Sequence, residues 1–261
     1  MVFSSTVDLT YLTATYLKDM YLIGLTLLGA DGQELPDSVF LAHIDQAFGK
    51  LEQLTNVDVL SHAYTAETHD YHVSDYMKYG FLQLFHVPVQ SVSEVRAVYP
   101  AGQTIQTFPT EWIRLNGNHG QIHLVPTSGT LSQVIIGQGA DYLPLIYSGL
   151  GYLPALWEVD YISGIDPTKV PAVIVEAVCK IACIELLQKL SDTITPLGVQ
   201  SQSLSVDGLS QSKGYMVPAF KGRIDAYKGD LGLSGQPGQD NAGGLLAQIR
   251  RDYLGINLAS L

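Results

Sequence analysis

Between Val170 and Leu190 the chain is apolar around most of a helical circumference, interrupted mainly by Glu176, Lys180, Glu185 and Gln188. Pro171 suits the first turn of a helix, where a missing N–H costs nothing, and Pro196 and Gly198 lie beyond its end. A helix wet on so little of its surface must be covered by several neighbours, within the chain or between subunits. Its three charges, Glu176, Lys180 and Glu185, make it unfit to span a bilayer, so no membrane partner is expected.

Around this helix the sequence predicts further helical segments. Thr6 or Asp8 can cap a first helix to about Lys18, with Leu9, Leu12, Tyr16 and Met20 recurring every three or four residues. After Pro36, Asp37 and Ser38 offer a cap for a second, striped by Phe40, Ile44, Ala47, Leu51 and Leu54. Residues 1–57 thus read as half of a small bundle.

From 58 to 164 the periodicity changes to short β-rich runs: Phe81–Phe85, Val92–Tyr99, Trp112–Leu115, Gln121–Val125 and Gln133–Ile136. Asn116–Gly120 reads as a hairpin connection. In Trp157–Tyr161 apolar Trp157, Val159 and Tyr161 alternate with Glu158 and Asp160, a strand with one apolar and one acidic face. Residues 165–228 return to the bundle. There the apolar helix is followed by the uncharged Ser/Gln run Leu197–Ser212 around Asp207-Gly208, and by a short helix from Ala219 to Lys228. Residues 229–261 comprise a Gly-rich tether, Gly229–Gly244, and an amphipathic helix with Leu245, Leu246, Ile249 and Tyr253 on one side and Arg250 and Arg251 among the others. The expected fold class is α+β: a helical bundle with a β-rich insertion and an extended C-terminal arm.

Most catalytic readings fail on spacing. His119 and His123 fall in a connection and a strand, so the helical convergence of i and i+4 ligands does not apply, and His69 and His72 read as structural or surface residues. Ser148 lacks the Gly two residues before it that a nucleophile elbow needs. Gly137-Gln138-Gly139 has no third Gly at dinucleotide-binding spacing. Cys179 and Cys183, one helical turn apart and without further cysteines, read as small core residues of a reduced compartment. The start of the chain shows no secretion signal. Lys213, Lys221, Arg223 and Lys228 read as a helix face balanced by Asp225 and Asp230, or as a contact for an acidic partner surface. The net charge of −11 excludes a general nucleic-acid binder, which needs clustered cations to release counterions, yet suits a wall past which DNA slides. The 15% charged content leaves a surface suited to burial against partners. No enzyme activity, cofactor or metal is expected.

Taken in order, the helical N-terminal half-bundle, the hairpin segment Asn116–Pro126, the strand Trp157–Gly164, the apolar helix and the segment Ser201–Ser212 resemble the head-to-tail connector (neck adaptor) proteins of tailed bacteriophages. The resemblance covers most of the chain; a β-rich insertion of about a hundred residues is where this sequence departs from the family. It implies a structural virion protein made in the host cytoplasm. Such a protein forms a homo-oligomeric ring, of twelve subunits in that family, between the portal protein and a tail or neck protein below. DNA passes through the channel without specific binding. On this reading Leu245, Leu246, Ile249, Arg250, Arg251 and Tyr253 form the portal-docking element, and Glu158 and Asp160 lie on a channel-lining or solvated face. Other readings of the residues are a β-rich ligand- or glycan-binding module and a metal-dependent hydrolase.

Overall fold

The computed structural model describes residues 6–7, 9–29, 32–72, 80–98, 102–125, 127, 151–194, 201–206, 209–214, 220–233 and 243–254. Among these the helices are α1 Ala14–Tyr21, α2 Asp37–Thr55, α3 Ala172–Ile194, α4 Lys221–Leu231 and α5 Leu245–Leu254. The strands are β1 Thr6–Val7, β2 His62–His72, β3 Leu82–Gln83, β4 Val89–Val98, β5 Thr104–Thr107, β6 Ile113–Asn116, β7 Gln121–Leu124, β8 Tyr152–Ser163, β9 Val170–Pro171, β10 Ser201–Val206 and β11 Leu209–Gly214. The chain is α+β and divides into two compact units: Met1–Thr55 with Pro167–Arg250, and Asn56–Asp166 with Arg251–Leu261.

The helical unit is built on α3. Every residue from Ile174 to Leu187 except Glu176 and Glu185 is buried, with α1, α2 and α4 packed against the helix. Lys180 is the costly member of that run, because an unpaired buried ammonium is strongly disfavoured. It reaches Glu176 Oε1 at 2.6 Å and Asp230 Oδ2 at 2.7 Å, and these partners raise its pKa despite the burial that opposes its charge. The α2 stripe forms as its spacing predicts over Phe40, Ile44, Ala47 and Leu51, which are buried, while Leu54 at its end is half-buried. Strands β10 and β11 pair antiparallel as a hairpin from Ser201↔Gly214 to Val206↔Leu209.

The second unit holds a four-stranded antiparallel sheet in the order β2-β8-β4-β5 and a three-stranded sheet in the order β3-β7-β6. One aromatic-rich core includes Tyr71, Phe108, Trp112, Trp157 and Tyr161. Connecting β6 to β7, a 3-10 turn over Gly117–His119 ends at Gly120 in the left-handed region, the hairpin expected from Asn116–Gly120. At the end of β8, Gly164 has φ +105°, and a Cβ there would collide with the Leu60 carbonyl. Only glycine fits both demands.

Several local expectations differ from the structure. Thr6–Val7 pairs with Val170–Pro171 instead of starting a helix. The cap of α1 is Thr13, whose Oγ1 accepts the Tyr16 N–H at 3.1 Å. The buried side of α1 is Ala14 and Leu17, so Met20, 59% exposed, lies off the stripe assigned to it. Trp112 ends a 3-10 turn, and the strand begins at Ile113. Helix α4 continues through Gly229 to Leu231, closing on left-handed Gly232, so the Gly-rich run begins inside a helix. Gln133–Ile136, Gly137–Gly139, Ser148, Asp8, Asp207-Gly208 and 234–242 of the tether lie outside the described residues.

Candidate functional site

The β2–β8 ladder organises the chemistry of the second unit. It has two register irregularities, between Tyr64 and Glu67 and between His69 and Tyr71. Left-handed alanines accompany them: Ala66 with φ 54° in β2, and Ala155 with φ 49° in β8. Each strained residue is held by an aspartate of the opposing strand. Ala66 N donates to Asp160 Oδ1 at 2.6 Å, and Ala155 N donates to Asp70 Oδ1 at 2.8 Å. The Asp70 carboxyl sits below its ordinary pKa because of the Ala155 N–H and then the Tyr152 hydroxyl.

Alternation along β8 buries Trp157, Val159 and Tyr161 and turns Glu158 and Asp160 to the other face, as the sequence predicts. On that face Arg96 of β4 stands directly opposite Glu158 in register. Its Nη2 lies 3.4 Å from Glu158 Oε2 and 3.1 Å from Asp160 Oδ1, while Nη1 lies 3.3 Å from Glu94 Oε2. Glu158 and Asp160 are only 21% and 19% exposed. The acidic pair is thus engaged in holding one guanidinium and one bulge.

A second polar cluster sits on the core side of β2. Glu67 and His69 pair with Val159 and Trp157, so their side chains share the buried face. Glu67 Oε1 accepts from His69 Nε2 at 2.7 Å, and Oε2 from the Tyr161 hydroxyl at 2.7 Å. A carboxylate only accepts, so His69 Nε2 carries the proton. Burial works against the Glu67 charge, but the hydrogen bonds from His69 and Tyr161 outweigh it and lower the pKa. Burial first, and Glu67 second, push the Tyr161 phenol up. His86 stacks on Tyr64, centroids 4.0 Å apart, with Nδ1 3.6 Å from Asp58 and Nε2 3.7 Å from Glu67. Asp58 also accepts from the hydroxyls of Tyr64 and Ser163. The sequence signal for this cluster, Glu and His two apart in a strand with tyrosines, is visible only once 62–72 is known to be a strand.

The other histidines have local duties. His119 Nδ1 lies 3.0 Å from the Tyr253 carbonyl, and His123 Nδ1 3.1 Å from the Gly80 carbonyl. Among the described residues no group of three or more His, Cys, Asp or Glu is arranged to hold a metal ion.

Helix α5 keeps much of its apolar stripe to its own chain. Leu246 and Ile249 are buried, Leu245 and Tyr253 half-buried, and Arg250 and Arg251 exposed. Arg250 donates to the Leu54 carbonyl at the end of α2. Gly244, just before the helix, lies against Leu231 and Gly232, too close for a side chain.

Comparison with known proteins finds likeness among solved structures. A chain in the virion of a native gene transfer agent particle is 16% identical with a TM-score of 0.37, the match covering 78% of this chain and 87% of that one. A chain in the neck of an empty gene transfer agent particle, computed with C6 symmetry, is 16% identical with a TM-score of 0.36, covering 85% and 92%. No family model and no curated protein matches.

Proposed function

We propose that this chain is a structural virion protein of a tailed phage, forming a ring between portal and tail that extends the DNA channel. The observation that carries this reading is the hairpin β10–β11. It forms a two-stranded sheet of its own, and among the described residues no third strand pairs with either edge. A lone two-stranded hairpin is marginally stable in water, and its open edges are a template for another chain. A hairpin offered by one copy to the next is a heterologous contact, and such contacts close into rings when the rotation per subunit allows. This hairpin is also the Ser/Gln segment through which the connector resemblance runs.

The net charge of −11 fits a lumen past which DNA slides without binding. For the portal contact the buried Leu246 and Ile249 are committed within the chain, which leaves the exposed side of α5, with Arg250, Arg251 and Leu254, to meet an acidic rim on the portal. Twelve copies is the number the family resemblance implies.

Replacing Gln202–Lys213 by a short Gly-Ser linker, followed by light scattering after size exclusion in the presence of portal protein, tests the hairpin's role. The expected result is a folded chain with native far-UV circular dichroism that no longer assembles. Unchanged assembly of the shortened chain would refute it.

A further inference from the structure

Where α5 ends, a hollow of about 290 Å³ opens between the segment after β3, the start of β7 and the last turn of the helix. The residues lining it all belong to the β unit. Leu84 and Val87, both buried, form its apolar base, whereas its rim carries Phe85 at 63% exposed and Leu254 at 44%. Large apolar groups left in water around an apolar base mark a surface that another protein covers.

The socket is held rigid. One face of the Phe85 ring packs on the His69 imidazole, centroids 4.3 Å apart, and the Phe85 N–H donates to Glu67 Oε1 at 3.4 Å. His119 Nδ1 lies 3.0 Å from the Tyr253 carbonyl; a carbonyl only accepts, so the ring donates and ties the last turn of α5 to the hollow. A site fixed in advance loses little entropy when it is filled.

The lining selects the occupant. Pockets for small molecules start at about 300 Å³, so a hollow of this size suits a single side chain. Its amides are engaged within the chain: Gln83 Nε2 donates to the Leu84 and His119 carbonyls at 3.1 and 2.6 Å, and Gln121 Oε1 accepts from Asn116 Nδ2 at 3.1 Å. An apolar side chain therefore enters without breaking these hydrogen bonds. Charge defines the flank. Arg251 is exposed and stands three residues before Leu254, on the same side of α5, while Asp252, two residues before it, faces elsewhere. A carboxylate beside the entering side chain would meet Arg251.

Resting on the portal contact inferred above for the exposed side of α5, we propose that this hollow is the socket for an anchor side chain of the portal protein. An aromatic or aliphatic residue sits between Phe85 and Leu254, and an adjoining Asp or Glu pairs with Arg251. The β unit then shares in docking through Phe85.

The test places p-benzoylphenylalanine at position 85 of the full chain, irradiates it with its portal protein and identifies the cross-linked peptides by mass spectrometry. The portal affinities of Phe85→Ser and Arg251→Glu are measured alongside. The expected cross-link is to a portal peptide in which an apolar residue adjoins an acidic one. Phe85→Ser should weaken portal binding about tenfold with native far-UV circular dichroism retained, as for an interface anchor. Arg251→Glu should weaken it by a smaller factor, and that loss should fade at high salt. A cross-link to residues 255–261 of the same chain or to a second copy, or portal binding indifferent to Phe85→Ser, would overturn the socket and leave the neck reading in place. Failure of the unsubstituted chain to bind portal would overturn both.

Discussion

The helical unit and the β unit each bury charge, and they do so differently. In the helical unit Lys180 is 7% exposed, but its partners Glu176 and Asp230 lie 42% and 55% exposed at the surface. The rest of the α3 core is aliphatic or thiol except Ser191, whose hydroxyl donates to the Leu187 carbonyl. In the β unit the charges form networks on both faces of the sheet: on the core side of β2 Glu67, His69 and Tyr161 hydrogen-bond among buried aromatics, and on the opposite face Arg96 is held by three carboxylates, none more than 36% exposed. One unit rests on apolar packing with a single tethered charge. The other rests on polar groups that are costly unless all are satisfied.

Titration separates the two most strongly. Burial pushes the Cys179 thiol up to about 12 and raises Cys183 as well. A pKa raised on folding contributes stability that is present below the unfolded value, about 8.5 for a thiol, and is lost as pH rises above it. Each thiol then costs about 1.4 kcal/mol per pH unit, on the order of 2–3 kcal/mol by pH 10.5. Glu67 has the opposite sign: its lowered pKa contributes stability that is present above about pH 4.3 and is lost as pH falls through the folded value. The raised Tyr161 adds a loss to the β unit above about pH 10. Trp112 and Trp157 both lie in the β unit, so tryptophan fluorescence reports that unit while circular dichroism at 222 nm reports mainly the helical one. Urea midpoints should fall first by fluorescence in acid and first by circular dichroism above about pH 9. Coincident midpoints at every pH would break the comparison.

Substitution of the two cations gives a smaller difference. Arg96→Met leaves three carboxylates facing one another and is expected to cost about 2–3 kcal/mol, at the lower end for a broken buried pair because the group is partly exposed. Lys180→Met should cost no more than about 1 kcal/mol, since its exposed partners return to water and the thioether packs where the stem lay. Equal losses in the urea midpoints would mean that partner exposure is not what distinguishes the sites.

The smallest expected effect is a gain. Ala66→Gly and Ala155→Gly each relieve a left-handed alanine and should stabilise the β unit by up to about 1 kcal/mol, with no change in the helical signal. A destabilisation would show that the two aspartates already compensate the strain in full.

The same contrast explains what could be read from the sequence. Helix α2 and strand β8 were legible because their apolar residues recur at the period of the element and face the core, and α3 because an apolar run of that length following Pro171 fits a helix covered on nearly all sides. Strand β2 was not, because its buried face carries Glu67 and His69 and its alternation slips at two bulges. Nor was the pairing of Thr6–Val7 with Val170–Pro171, since local periodicity carries nothing about a partner so distant in sequence. Glu158 and Asp160 were visible as one strand face, but their neutralisation depends on Arg96, which only strand register brings opposite. The C-terminal helix was legible as amphipathic, while its covering, with Leu246 and Ile249 buried, depends on tertiary packing.

Ring assembly between portal and tail can be seen outright in a cryo-EM reconstruction of this chain assembled on its portal protein. The expected result is a closed ring of identical copies around a lumen without a continuous Lys and Arg belt, with Ser201–Gly214 of each copy against its neighbour. Isolated copies decorating the outside of the particle, with Ser201–Gly214 touching no second copy, would contradict it.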